Sequence, residues 1–253
     1  MTQIIAVTNQ KGGVGKTTTA VNLAYLLATT KRKVMLIDLD PQGNATSSLG
    51  IDKTKLKATL CDVLLGRNKL TDVVLKASNK HLFVVPTNAQ LADAEVQLVN
   101  MPEREHRLSK VLEGLDVDVV IIDCPPALGL LTLNALVAAS HVLIPVQAEY
   151  FAMEGLGQLL QTIQLVKQNI SPRLEILGVV LTMLNKRNNL AEQVSSEVNN
   201  YFGDKVFKTV IPRNVRLAEA PSFGRTIFEH DKWSKGARAY KHLADEVIQR
   251  LEA

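Results

Sequence analysis

Apolar residues fall along this chain in two alternating rhythms. Short, nearly continuous runs rich in β-branched residues occupy 4–7, 34–39, 82–85, 117–122, 142–146, 176–181 and 206–210, and each predicts a strand. Between them, 17–28, 103–115, 128–139, 155–169, 191–202 and 234–251 repeat apolar positions at three- and four-residue spacing, which predicts helices with one buried stripe. Strands that are apolar throughout, rather than alternating, must be covered on both faces. The predicted fold class is therefore α/β: a doubly wound, mostly parallel sheet with helices on both faces, whose ligands sit beyond the carboxyl ends of the strands.

At 253 residues and 46% hydrophobic, the chain is long enough to bury a large core. No Pro/Ser/Gly-rich linker, low-complexity tract or fixed-period repeat divides it, so 1–253 is read as a single domain. Residues 1–3 lead straight into the first apolar run without the basic and apolar segments of a signal peptide, which predicts a cytoplasmic protein. The most apolar later stretch, 127–139, is interrupted by Thr132 and Asn134 and is too short to cross a bilayer. Cys61 and Cys124 lack CxxC spacing, which suggests neither a disulfide framework nor a zinc site. The net charge of +4 permits a polyanionic partner without requiring one.

The chemistry begins directly after the first predicted strand, at Gln10-Lys11-Gly12-Gly13-Val14-Gly15-Lys16-Thr17-Thr18. Glycines without Cβ let successive backbone N–H groups converge on phosphate oxygens, and the following helix N-terminus favours negative charge. Lys16 is placed to neutralise the β- and γ-phosphates, and the Thr17 hydroxyl suits Mg²⁺. The usual spacing GxxxxGK[ST] asks for glycine where this chain has Gln10, so the loop is a variant with an extra lysine, Lys11. A dinucleotide-binding GxGxxG loop would need glycine at Thr18. Two further segments, Asp38-Leu39-Asp40-Pro41-Gln42-Gly43 and Asp123-Cys124-Pro125-Pro126, end strands with acids, Asp123 in the position of a Walker B carboxylate. One strand-terminal Asp is as often a turn former as a catalytic group; two of them downstream of this loop point to nucleotide hydrolysis.

Taken together, Lys11-Gly12-Gly13-Val14-Gly15-Lys16-Thr17-Thr18, Asp38-Leu39-Asp40-Pro41-Gln42-Gly43-Asn44 and Ile122-Asp123-Cys124-Pro125-Pro126 resemble the ParA/Soj chromosome-partitioning ATPases. The resemblance continues through Glu149-Tyr150-Phe151-Ala152-Met153-Glu154-Gly155, Leu181-Thr182-Met183-Leu184-Asn185 and the stretch from Ile211-Pro212-Arg213-Asn214 to Ser222, and so spans almost the whole chain. It implies an ATPase using ATP and Mg²⁺ that forms a sandwich homodimer when ATP-bound, with Lys11 reaching the partner's phosphates and Gly12 near the interface. It also implies that Asp40 positions or deprotonates the attacking water, that Asp123 orients the magnesium shell, and that Asp38 supports both. Thr17, Asp40 and Asp123 are then the metal-side residues, and Asn185, Pro212 and Asn214 the base-contacting ones.

From Lys186 onward, twelve Lys/Arg stand against nine Asp/Glu. Lys186, Arg187, Arg213, Arg216, Arg225, Lys232, Lys235 and Arg238 are the candidate phosphate contacts to double-stranded DNA, and no N-terminal helix-turn-helix precedes the fold, so the expected binding is non-specific. The resemblance adds a ParB-like stimulating partner and a nucleoid-associated location. A membrane-recruited MinD-like regulator would share the phosphate loop and both acidic motifs, but would need a basic amphipathic tail; 240–253 carries Asp245, Glu246 and Glu252 and predicts a helix packed on the body. The nitrogenase iron-protein type would need two cluster cysteines per subunit, for which Cys61 has no matching context.

Overall fold

The structure, a computed structural model, describes residues 2–148, 152–184 and 189–252. Chain order is β1 (Gln3–Val7), α1 (Lys16–Thr29), β2 (Val34–Asp38), α2 (Asn44–Ser48), α3 (Leu60–Leu64), α4 (Leu70–Val73), β3 (Leu75–Lys76), β4 (Leu82–Val85), α5 (Gln90–Leu98) and α6 (Arg107–Val111). It continues with β5 (Val119–Asp123), α7 (Leu130–Ala138), β6 (His141–Gln147), α8 (Ala152–Asn169), β7 (Glu175–Leu184), α9 (Asn189–Phe202), β8 (Ile211–Pro212), α10 (Val215–Glu219), α11 (Ile227–Asp231) and α12 (Lys235–Glu252). The strands form one sheet in the order β3-β4-β2-β5-β1-β6-β7-β8, parallel except for the edge strand β3.

β2 and β5 are buried at every position, as their unbroken apolar runs require. Successive residues serve opposite faces: Ile4, Ala6, Met35, Ile37, Val120 and Ile122 pack with α3, α5, α7, α8 and α9. Their neighbours Ile5, Val7, Leu36, Val119 and Ile121 pack with α1, α11 and α12. Among the described residues no helix is long and apolar enough to cross a membrane.

Two predicted elements are changed by side chains arriving from distant segments. The helix expected over 103–115 is reduced to a 3-10 turn at Arg104–His106 and the short α6. Asn134, fully buried on α7, inserts its amide where the helix would close: Oδ1 accepts from Leu108 N at 3.1 Å, and Nδ2 donates to the Arg104 carbonyl at 2.8 Å. The strand expected over 206–210 shrinks to a single bridge between Val206 and Val179. There Glu246 of α12 accepts from Lys208 N (2.9 Å) and Thr209 N (2.8 Å), taking donors a ladder would have used, and pairing resumes at β8. Pattern reading also passes over α2 to α5, α10, α11 and β3, all of them short.

Candidate functional site

Because β5 lies between β1 and β2, the loops after these three strands open side by side on one rim of the sheet. Val7 is the ladder partner of Asp123, and Asp123 of Asp38. Three segments separated by some thirty to eighty residues in sequence thus meet at one place, the carboxyl end of a parallel sheet.

The glycine-rich loop takes its shape from backbone that other residues resist. Gly13 and Gly15 have φ of +74° and +88°, in the left-handed region. Asn9 fixes the loop's start, donating through Nδ2 to the Pro145 carbonyl (2.8 Å) and accepting the Lys11 amide at Oδ1 (3.0 Å). Thr182, on β7, donates its hydroxyl to the Val14 carbonyl (2.8 Å) and holds the far side. Gly15 caps α1 without a side-chain acceptor, so the first turn of that helix offers its amides outward. Lys16 is 6% exposed, and its Nζ donates to the Lys11 carbonyl at 2.9 Å. Burial lowers its pKa, against the opposing pull of Asp123, Cys124 and Asp40. Gly12 and Gly13 are exposed, and a Cβ built on either meets nothing within 4 Å.

The acids divide the work by their surroundings. Asp38 is fully buried; its Oδ2 accepts both the Thr46 amide (2.7 Å) and hydroxyl (2.6 Å), and its Oδ1 the Asp40 amide (3.3 Å). Burial lifts its pKa to about 6, with the Thr46 and Asp40 hydrogen bonds acting the other way. Thr46 in turn accepts the Thr87 amide at 3.0 Å, joining the loop after β4 to this network. Asp40, 7% exposed, bends its own loop by accepting the Gln42 amide at 2.9 Å. Asp123 is completely buried, and burial, followed by the charge of Asp38, pushes its pKa well above the ordinary carboxylate value. The Thr17 hydroxyl lies near enough to favour the ionised form, yet neither Asp123 oxygen completes a hydrogen bond among the described residues.

A buried carboxylate with vacant acceptors beside a hydroxyl is chemistry that suits a hydrated divalent cation. No cluster of three or more His, Cys, Asp or Glu side chains forms an all-protein metal cage among the described residues. The loop and Asp40 border a cleft of about 340 Å³ lined by Gly12, Gly13, Lys16 and Thr17, with Met183 also in its lining.

A second cavity of about 220 Å³ adjoins the first past Gly15 and Thr18. Pro212 and Asn214, the residues expected to contact the base, line it together with Met183, Leu217 and Tyr240. The Asn214 Oδ1 accepts Leu217 N at 3.3 Å and so caps α10. Asn185, the other predicted base contact, lies outside the described residues. So do Lys186 and Arg187. The remaining basic candidates, Arg213, Arg216, Arg225, Lys232, Lys235 and Arg238, are all exposed between β8 and the first turns of α12. Arg216 is paired with Glu219 (2.9 Å), and Lys235 and Arg238 rim an open groove of about 910 Å³ that also includes Lys208 and His242.

Sequence reasoning missed the residues that join this basic surface to the phosphate loop. Asn22 donates to the Thr18 carbonyl (2.7 Å) and accepts Ile227 N (2.8 Å), while Thr19 and Tyr240 share a buried hydroxyl pair at 3.1 Å. Gly50 and Gly224, both left-handed, touch backbone to backbone: a Cβ on Gly224 would lie 2.6 Å from the Gly50 Cα. A buried Asn nearly two turns into the loop helix is the only one of these with a signal in the sequence. Cys61 and Cys124 are free and buried. The apolar face of α12 is used inside the molecule, through Ala237, Tyr240, Leu243, Ala244 and Val247. Arg250 near its end donates to the carbonyls of Leu177, Asp204, Lys205 and Val206.

Residues 2–176 match the family model described as an AAA domain. The sporulation initiation inhibitor protein Soj of Bacillus subtilis is 53% identical over 249 residues, covering 98% of both chains. The chromosome partitioning protein ParA of Caulobacter vibrioides is 49% identical over 252 residues, covering 98% of this chain and 94% of its own. Among solved structures, cobyrinic acid a,c-diamide synthase from Mycobacterium smegmatis, with bound ADP and magnesium, superposes with a TM-score of 0.87 at 39% identity, covering 100% of this chain and 96% of that one.

Proposed function

The chain belongs to the Soj/ParA family of chromosome-partitioning ATPases, and from that premise we propose that it works as an ATP-loaded dimer that holds DNA without regard to sequence and lets go on hydrolysis. The observation that carries this reading is the meeting of Lys16, Thr17 and Asp40 around one cleft at the sheet's carboxyl rim, with Asp123 buried close behind them. Thr17, Asp123 and Asp40 are the residues that would hold a magnesium ion, which when bound would supply charge neutralisation at the phosphates. The chain's own groups do the rest. The exposed loop amides and the first turn of α1 receive the phosphates, Lys16 exchanges the Lys11 carbonyl for a phosphate oxygen, and Asp40 orients the attacking water and takes its proton.

Lys11 is assigned to the partner's nucleotide. A cation that arrives only on assembly would couple hydrolysis to dimerisation, as an arginine finger does. Gly12 fits this: among the described residues nothing lies within 4 Å of a Cβ placed there, which leaves the loop open to the close approach of a partner. The basic residues from Arg213 to Arg238, doubled across a dimer, are the DNA surface, and a ParB-like protein is the stimulating partner. The buried apolar face of α12 favours this reading over a membrane-recruited one.

The test is binding of an arbitrary duplex DNA with ATP, ADP or no nucleotide, at two salt concentrations, alongside flotation with anionic vesicles. The expected result is binding that needs ATP and falls steeply with salt. Nucleotide-independent DNA binding, or ATP-dependent flotation with vesicles, would overturn it.

A further inference from the structure

Met183 is the one side chain that lines both cavities of the nucleotide cleft in a backbone conformation its residue type avoids. Its φ of +53° lies in the left-handed region, where a side chain with Cβ is disfavoured and where such residues persist only when their surroundings hold them. The cause is visible in the sheet. Thr182 pairs with Ile211 and Leu184 with Pro212, so Met183 is an extra residue on β7 with no partner on β8, a bulge. The bulge re-aims Met183 from the ladder to the junction of the two cavities, where it borders the phosphate cleft and lines the cavity of Pro212 and Asn214. It lies beside the phosphate loop: its neighbour Thr182 holds the Val14 carbonyl, and a Cβ built on Gly15 would lie 4.0 Å from Met183 Cε.

We propose that Met183 is the nucleoside-contacting residue that fixes the angle between base and phosphates, its thioether lying against the ribose and the edge of the base at the junction of the two cavities. This rests on the ATPase reading above and deepens it. A polarisable, unbranched thioether suits an aromatic base. The bulge supplies a fixed position for a side chain that would otherwise be adaptable.

The test separates the nucleoside from the phosphates by titrating the full-length protein with MgATP and, separately, with magnesium tripolyphosphate. Glycine adopts the left-handed conformation readily, so Met183→Gly keeps the bulge and removes only the side chain. It should weaken ATP roughly tenfold and leave tripolyphosphate within about twofold of wild type. Met183→Leu, which restores apolar bulk, should recover most of the loss. Equal weakening of both ligands in Met183→Gly would make Met183 a support of the phosphate loop and overturn the proposal, as would unchanged ATP affinity. Wild-type protein that binds neither ligand would overturn the ATPase reading itself.

Discussion

Asp38 and Asp123 are direct ladder partners across β2 and β5, both fully buried. Only one of the two, Asp38, has its carboxylate ringed by donors. Asp40 and Lys16 are the other charged groups facing this pair. Burial raises the Asp38 pKa from 3.8 to about 6, so the folded state holds this proton more tightly than the unfolded chain. Stability then rises as pH falls from about 6 to about 4, and above about 6 the full cost of the buried charge, about 3 kcal/mol, is present. Asp123 acts with the same sign. Melting of nucleotide-free protein in chelator should move upward between pH 6.5 and 4.5, and Asp38→Asn should flatten that slope. Parallel pH profiles for the two proteins would show that the Asp38 charge is not the cause.

Thr46 satisfies Asp38 twice and receives the Thr87 amide. Thr46→Val strips the hydroxyl from this junction and leaves buried groups without partners, at about 1–3 kcal/mol in unfolding free energy. Because Asp38 also holds the Asp40 amide, the change should lower kcat about tenfold with little change in KM for ATP. Thr46→Ser should restore turnover. A rise in KM at constant kcat would place Thr46 in ground-state binding instead.

Lys16→Ala, Asp40→Ala and Arg216→Ala should fail in three different ways. The first loses nucleotide binding and with it ATP-dependent DNA binding. The second keeps both and hydrolyses at least about a hundredfold more slowly, having lost its general base. The third keeps hydrolysis and weakens DNA binding, with a shallower dependence on salt. Identical behaviour of all three in paired ATPase and DNA-binding assays contradicts the division of roles.

Gly12 offers a test of the dimer without disturbing the fold. With open space around it and no left-handed φ, Gly12→Val should melt within a few degrees of wild type and bind ATP as a monomer. ATPase activity per chain should lose its dependence on protein concentration. ATP-dependent dimers of normal size in sedimentation would place Gly12 away from the interface.

The strands were legible because a buried parallel sheet writes itself as unbroken apolar runs, and the cleft because its loops follow those strands directly. What could not be read came from side chains reaching across large sequence distances. Asn134 opens the 103–115 helix and Glu246 cancels the 206–210 strand, and neither intervention alters the local pattern at the position it affects. Gly50 and Gly224 look like ordinary turn glycines until their backbones are seen in contact. Met183 lies two residues past the strand predicted over 176–181, and a bulge leaves no mark on composition.

The place of β5 between β1 and β2 has a temporal meaning. During synthesis the glycine-rich loop and Asp40 emerge early, but the strand that brings them together, and carries Asp123, emerges some eighty residues later. Until β5 inserts, β1 has no partner on that side, and the loop has no walls. A growing or truncated chain that ends before Val119 therefore lacks both the strand that joins β1 to β2 and the carboxylate it carries.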